Sequence, residues 1–315
     1  MIVTVTPNPA VDRTVFVDAL RLGTITHGAR SWSEPSGKGV NVALALQAHQ
    51  RPTVAVLPVG GPAGAHLVEM LVRAGLDYQA VAIAGEVRVN ISIVQPDGVV
   101  TKINERGPAL SDAEGDALLA AAHTQARAGG WVAGCGSLPG GLADGFYARL
   151  VEAGHRAGTR VVIDTSGAPL VEALAAGPDL VKPNADELAA AVGRAVTTVG
   201  DVVDAAQELR ARGAKAVLAS LGGDGAALVT GAGVVHGTAP VEKVVSTVGA
   251  GDALLAGFLS VGTDDGSTDD EHALAVALAW GAAAVQHHGT LFTTADHPAR
   301  AVISERLPSA RKLSH

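Results

Sequence analysis

From residue 111 onward the chain alternates short β-rich apolar runs with longer alanine- and leucine-rich helical patterns, and this alternation constrains the fold more than any other feature. Ser111-Asp-Ala-Glu114 is a capping-box pattern that opens a helix to about Arg127, and a strand follows at Trp131 to Ala133. A helix to about Ala157, a strand at Arg160 to Asp164, a helix near Pro169 to Ala175 and short strands at Asp179 to Val181 and Lys215 to Ala219 continue the series. Such a pattern predicts a mostly parallel central sheet with helices on both faces, a three-layer α/β/α arrangement. The apolar content agrees: 48% of residues are hydrophobic but only 3% aromatic, so Ala, Val and Leu must build a core of helices on a buried sheet. A length of 315 residues allows one large α/β domain or two ordinary ones.

The N-terminal part is less regular. Ile2 to Thr6 reads as a strand closed by Pro7-Asn-Pro9, with a second extended run at Thr14 to Val17. Thr53 to Val59 reads as a strand, turned by Gly60-Gly-Pro62 into a helix from about Ala63 to Ala74. Val87 to Gln95 and Val99 to Asn104 flank Pro96-Asp-Gly98, a hairpin signal, and with residues 12–34 they predict a small β flap. At the other end, helices are expected at about 250–261 and 269–287, the second opened by the capping box Thr268-x-x-Glu271. His287 and His288 lack metal-ligand spacing to His297 and read as decoration of a helix end.

A net charge of −8 without a Lys/Arg cluster argues against nucleic acid or an acidic membrane surface as partner. The single cysteine, Cys135, permits no intrachain disulfide and suits a reducing compartment. The longest apolar run, 273–285, is too short to span a membrane, and no basic leader precedes the first strand, so a soluble cytoplasmic protein is expected.

Several loops carry chemistry. In Ser246-Thr-Val-Gly-Ala-Gly-Asp252, small residues run into a helix beginning near Ala250, whose free N–H groups attract an anion such as phosphate. Asp252 then stands where a general base would meet an acceptor hydroxyl, or else is only an acidic residue favoured at a helix start. Pro35-Ser-Gly37-Lys38-Gly39-Val-Asn41 is a second glycine-rich helix entrance, but it is not a P-loop, since Lys38 is followed by glycine. Asp12 reads either as a crevice residue or as a turn aspartate. Arg88 and Lys102 on the flap are candidate anion contacts or plain solvated charges. Lys182-Pro-Asn184-Ala-Asp-Glu187 combines a helix cap with oxygen donors suited to hydrated Mg²⁺. Ser220-Leu-Gly222-Gly223-Asp224-Gly225 would let a nucleotide lie on backbone, or is a hairpin turn. No G-x-G-x-x-G is present.

Taken together, Asn8-Pro-x-x-Asp12, Gly37-Lys-Gly-x-Asn41, Ser137-Leu-Pro-x-Gly141, Lys182-Pro-Asn-x-x-Glu187, Ser220-x-Gly-x-x-Gly225 and Thr247-Val-Gly-Ala-Gly-Asp252 resemble, in order and spacing, the PfkB (ribokinase-like) sugar kinases over almost the whole chain. Thr101-Lys-Ile-Asn-x-x-Gly-Pro108 and Lys38 are most similar to the branch of 1-phosphofructokinases and tagatose-6-phosphate kinases. The resemblance implies a single ribokinase-like domain over 1–315 with a β lid from roughly 12–34 and 86–105. The implied reaction is ATP-dependent phosphorylation of a sugar phosphate, fructose 1-phosphate first; 6-phosphofructokinase, tagatose-6-phosphate kinase and a non-catalytic sugar-phosphate sensor are the alternatives. In this reading Asp252 is the base, and Gly249, Ala250 and Gly251 form the anion hole. Asp12, Gly37, Lys38, Gly39, Asn41, Arg88, Lys102 and Ser137 hold the sugar phosphate. Lys182, Asn184, Ser220, Gly222, Gly223, Asp224, Gly225 and Gly251 line the ATP site, and Asn184 and Glu187 orient Mg²⁺ through water. A monovalent cation and a homodimer formed through the lid are further implications.

Overall fold

The computed structural model describes residues 1–261, 269–286 and 300–314. Strand β1 (Ile2–Val5) leads through β2 (Ala10–Phe16) and β3 (Arg30–Ser36) into α1 (Lys38–Ala48). β4 (Thr53–Val59), α2 (Gly61–Arg73), β5 (Tyr78–Ala82), β6 (Arg88–Val94) and β7 (Val100–Ile103) follow. The alternating part runs α3 (Asp112–Gln125), β8 (Trp131–Cys135), α4 (Phe146–Arg156), β9 (Arg160–Asp164), α5 (Ala168–Ala175), β10 (Leu180–Val181), α6 (Ala185–Val192), α7 (Val199–Ala211) and β11 (Val217–Ser220). β12 (Ala226–Val229), β13 (Val234–Thr238), α8 (Ala250–Ser260), α9 (Asp270–Ala284) and β14 (Val302–Ile303) complete it.

The main sheet has the order β14-β13-β12-β11-β10-β9-β8-β1-β4-β5. From β11 to β5 every pairing is parallel, while β12, β13 and β14 extend the edge antiparallel. Side chains alternate along each strand, so the two faces feed different cores. Val161 and Ile163 pack with Tyr147, Leu170, Leu188 and Leu209 on one face, and Val162 with Leu46, Leu255 and Leu274 on the other. Strands buried on both faces read as continuous apolar runs, which is why this part of the chain was legible. Among the described residues no helix is long and apolar enough to cross a membrane.

The chain leaves β1 toward β4 and β5, then returns to β8 on β1's other side. That reversal opens a crevice at the carboxyl ends of β1 and β8, the place where open α/β sheets bind ligands. The first turn of α1 sits on this crevice, and at Gly39 a Cβ would collide with the Thr6 hydroxyl.

A second sheet, ordered β3-β2-β6-β7, stands apart. Its β6–β7 hairpin is the one signalled by Asp97-Gly98. Asp12 lies within β2, opposite Glu34 and Asn90, and not in a turn, because β2 starts at Ala10 and not near Thr14. The capping boxes at Ser111/Glu114 and Asn184/Glu187 both form. At α9 the cap is Asp269, which accepts from the Glu271 and His272 amides; Thr268, His287, His288 and His297 lie outside the described residues.

Candidate active site

Four elements end at the crevice with a charged side chain. Asp164 closes β9, Lys182 follows β10, Glu187 sits in the first turn of α6 and Lys38 opens α1. Lys38 Nζ lies 2.8 Å from Asp164 Oδ1 and 3.3 Å from Glu187 Oε1, and Lys182 Nζ lies 3.2 Å from Asp164 Oδ2. Asp164 is fully buried; burial alone would push its carboxyl up, but the flanking Lys182 and Lys38 hold it below the usual carboxylate range. Burial likewise opposes the charge on Lys38, yet Asp164 and Glu187 outweigh it and raise the ammonium above its ordinary value. Pairing of this kind is the condition for keeping such charges inside a protein.

Asp252 joins this cluster from α8. Gly249 caps the helix in the left-handed region, at φ 79°, where glycine carries no steric penalty. The first bond of the helix runs from the Ala253 N–H to the Gly249 carbonyl at 2.8 Å; the Ala250 N–H donates to the Thr247 carbonyl at 3.4 Å, and the Gly251 and Asp252 amides stand in the unbonded first turn at the positive end of the helix dipole. A Cβ on Gly251 would lie 3.4 Å from Lys182 Nζ, so backbone and ammonium converge on one point. The Asp252 carboxylate is buried and its Oδ2 accepts from Asn41 Nδ2 at 2.7 Å. Burial, reinforced by the charge of Asp164, raises it to about 6 against the pull of Asn41, Lys182 and Lys38. A carboxylate tuned upward beside free amides can take a proton while an anion is held next to it.

One cavity of about 610 Å³ is lined by these groups and by aliphatic side chains. Its lining combines Asp252, Lys38, Lys182 and Gly251 with Ser220, Gly222 and Gly223 and with the aliphatic Val241, Val244, Leu278 and Val285. Among the described residues a Cβ on Gly222 or Gly223 would meet no atom within 4 Å, so the loop leaves room for a ligand against its backbone. Charged groups and aliphatic walls in one cavity suit a phosphorylated molecule carrying a flat ring. Asp224 departs from the sequence expectation: its carboxylate is buried on the far side of the loop, accepting from Arg311 and from the Ser314 amide. The Gly225 that follows takes φ 89°, and a Cβ there would collide with the Gly237 carbonyl, so the turn admits only glycine at this position.

A second group faces the crevice from the other side. Asp12 Oδ1 accepts from Asn90 Nδ2 and Oδ2 from Ser36 Oγ, each at 2.8 Å. Ser137 Oγ accepts from Asn8 Nδ2 at 3.3 Å, and Arg88 donates to the carbonyls of Glu105 and Asn8 at 3.0 Å. Burial lowers the affinity of the Arg88 guanidinium for its proton, against the nearby Asp12 and Glu105. Thr6 Oγ1, Asn8 Oδ1, Asn41 Oδ1, Asn90 Oδ1 and Arg88 Nε are all buried without a partner among the described residues. Unsatisfied buried polar atoms are costly, and these gather between the end of β1, α1 and β6. Lys102 is not part of the group: it stands exposed on β7, opposite Ser92.

Asp164, Asn90 and Ser36 were given no role in the sequence, and Asn8 stood there only as a motif residue. Asp164 had one signal, its place as the last residue of a buried parallel strand. Asn184 and Glu187 do face the cluster, but their side-chain oxygens are engaged in the cap, and Glu187 Oε1 also meets Lys38.

Comparison with known proteins agrees with this geometry. Residues 6–297 match the model of the pfkB family of carbohydrate kinases. The 1-phosphofructokinase of Rhodobacter capsulatus is 41% identical over 89% of this chain and 90% of its own length. The D-tagatose-1-phosphate kinase of Klebsiella oxytoca is 34% identical over 90% of this chain and 91% of its own. Among solved structures, Escherichia coli phosphofructokinase-2 in complex with potassium superposes with a TM-score of 0.87 at 31% identity, covering 93% of this chain and 95% of that one. The chain belongs to the pfkB family of carbohydrate kinases.

Proposed function

We propose that this carbohydrate kinase transfers the terminal phosphoryl group of ATP to the 6-hydroxyl of fructose 1-phosphate, working as one domain over residues 1–315 with the small sheet as its lid. The observation that carries the reading is Asp252: a buried carboxylate raised to about 6, held by Asn41, at the amide-rich start of α8 where both sides of the crevice meet. Phosphoryl transfer asks little covalent chemistry of the protein, chiefly alignment and charge stabilisation. Asp252 takes the proton of the acceptor hydroxyl, and the Gly249–Gly251 amides with Lys182 and Lys38 stabilise charge on the moving group. Ser220, Gly222, Gly223 and Gly225 take the nucleotide, whose base fits against Val241 and Val244 in the cavity. Asp12, Asn41 and Asn90 hold sugar hydroxyls, and Arg88, whose Nε has no partner among the described residues, takes the phosphate the sugar already carries.

Asp164, Glu187 and Asp252 set three carboxylates against the two ammonium groups of Lys38 and Lys182, so a polyphosphate needs further positive charge here. Mg²⁺ supplies that charge when bound. No cluster of three His, Cys, Asp or Glu suited to direct ligation occurs among the described residues. The capped Asn184 and Glu187 therefore fit an ion met through its waters, as Mg²⁺ tolerates. A monovalent cation is a further candidate, in line with the potassium of the Escherichia coli structure, and no residue is assigned to it.

Substrate choice is read from kcat/KM with ATP across fructose 1-phosphate, fructose 6-phosphate, tagatose 1-phosphate, tagatose 6-phosphate and fructose. Fructose 1-phosphate is expected to rank first; a higher value for a 6-phosphate contradicts the assignment. Tagatose 1-phosphate is the second reading, favoured by the Klebsiella relative. Arg88→Ala should raise KM for the phosphorylated sugar roughly 10- to 100-fold, the effect of losing a charge-assisted hydrogen bond, and leave KM for ATP in place. An unchanged sugar KM removes Arg88 from the site. On the lid, Trp32, Val100 and Ile103 are exposed, with Leu22 and Ile25 more so, which supports pairing of two copies through the small sheet. A monomeric mass by light scattering at assay concentration would exclude that pairing.

A further inference from the structure

Loop 220–225 has two sides. Gly222 and Gly223 line the cavity, while Asp224 faces away and is gripped from three directions. Its Oδ1 accepts from Arg311 Nε at 3.1 Å and Nη2 at 2.8 Å, and its Oδ2 accepts from the Ser314 amide. Its carbonyl accepts from His236 Nε2 at 3.1 Å, while Ser304 Oγ meets His236 Nδ1 at 2.9 Å, so the hydroxyl donates and the ring proton stays on Nε2. Ser304, Arg311 and Ser314 all come from one segment, residues 300–314.

That segment is anchored along its length. It adds β14 to the sheet edge against β13 and buries Leu313 in the core under α7. It then accepts the Val199 amide at the Arg311 carbonyl, 3.0 Å, and the Gly200 amide at the Ser309 carbonyl, 2.8 Å, and donates the Leu313 amide to Thr197 at 2.8 Å. The result is a strap from the start of α7 to the back of the loop. Adjacent glycines with no side chain to pack are the loosest backbone a ligand can be asked to bind, and ordering them on binding would weaken affinity. Among the described residues no atom lies within 4 Å of where a Cβ of Gly222 or Gly223 would stand; the turn is closed by the Gly225 N–H on the Gly222 carbonyl at 3.1 Å, and the grip on Asp224 holds it from behind.

We propose that Asp224, Arg311 and the 300–314 strap are positioning elements for the nucleotide, holding Gly222 and Gly223 in the shape that receives ATP without touching it. The proposal rests on assigning the cavity to ATP. Arg311→Met is expected to raise KM for ATP roughly tenfold, as for a loop that must be ordered on binding, with kcat at saturating ATP and KM for fructose 1-phosphate unchanged. Arg311→Lys, which keeps one donor and the charge, should fall between the two. An unchanged KM for ATP, or both KM values rising together, overturns the proposal. Should the Met variant fail to fold, hydrogen exchange on the wild type decides. Because coupling is reciprocal, saturating ADP must slow exchange at the Leu313 and Ser314 amides, and unchanged exchange there overturns the strap. Failure of the kinase reading looks different: the wild type would then consume no ATP with any sugar phosphate.

Discussion

Asp252→Asn lowers kcat by about 10²- to 10⁴-fold while leaving KM for ATP within a few-fold, the loss expected when a general base is removed from a site that keeps its binding groups. The asparagine preserves the shape of the side chain and can still accept from Asn41, so the start of α8 and its amides remain in place. What disappears is the proton acceptor. The same variant has a second, opposite effect. In the fold the Asp252 carboxyl is raised to about 6, whereas the unfolded chain returns it to an ordinary carboxylate value, so the folded state is favoured when this group is protonated. That contribution is full in acid and is lost as pH rises through about 6, leaving the wild type burdened at neutral pH with a buried charge. Asp252→Asn is therefore more resistant to thermal unfolding than the wild type at pH 7.5, and the difference closes below pH 5. A variant both inactive and less stable at neutral pH would mean that Asp252 is structural.

Asp164→Asn gives the second large effect, in the other direction for stability. Asp164 is the shared counter-charge of Lys38 and Lys182, and Lys182 is only 4% exposed. Removing one partner from a buried ion pair leaves the other charge uncompensated, which costs about 3–5 kcal/mol. Glu187 still serves Lys38, but among the described residues Lys182 has no second carboxylate in salt-bridge range. Because both ammonium groups face the cavity that holds Asp252, turnover falls as well, roughly 10²-fold, the order seen when one donor to a developing anion is displaced. Chemical denaturation and steady-state rates on the same preparation check both. A variant as stable and as active as the wild type would show that the lysines do not depend on Asp164.

The layered sheet was legible because its strands are buried on both faces and its helices carry caps such as Ser111 with Glu114. β3 was not, since Arg30–Ser36 is largely polar and contains a proline; it is a strand because β2 supplies the ladder along its whole length. α7 opens with Thr198 and Asp201, a capping box with aspartate where glutamate is the usual signal. Within the site, Asp252, Asn41, Lys38 and Lys182 could be picked out because each follows a glycine-rich turn or closes a strand at the crevice. Asp164 could not be ranked above other aspartates, because its meaning comes from Lys38, distant by 126 residues in the chain. Asp224 shows the converse: a loop motif identifies a turn, but where its side chain points depends on a partner, Arg311, near the far end of the chain.

The pH dependence of kcat/KM on fructose 1-phosphate reads most directly whether Asp252 is the base whose protonation Asp164 and the two lysines govern. A phosphorylated sugar itself titrates near pH 6, so the comparison that isolates the enzyme is wild type against Asp164→Asn on the same substrate. With the Asp164 charge removed and both lysines retained, the acid limb moves to lower pH than the wild-type value of about 6. An acid limb at the same pH in both enzymes would contradict it, because the ionisation seen would then belong to the substrate and not to Asp252.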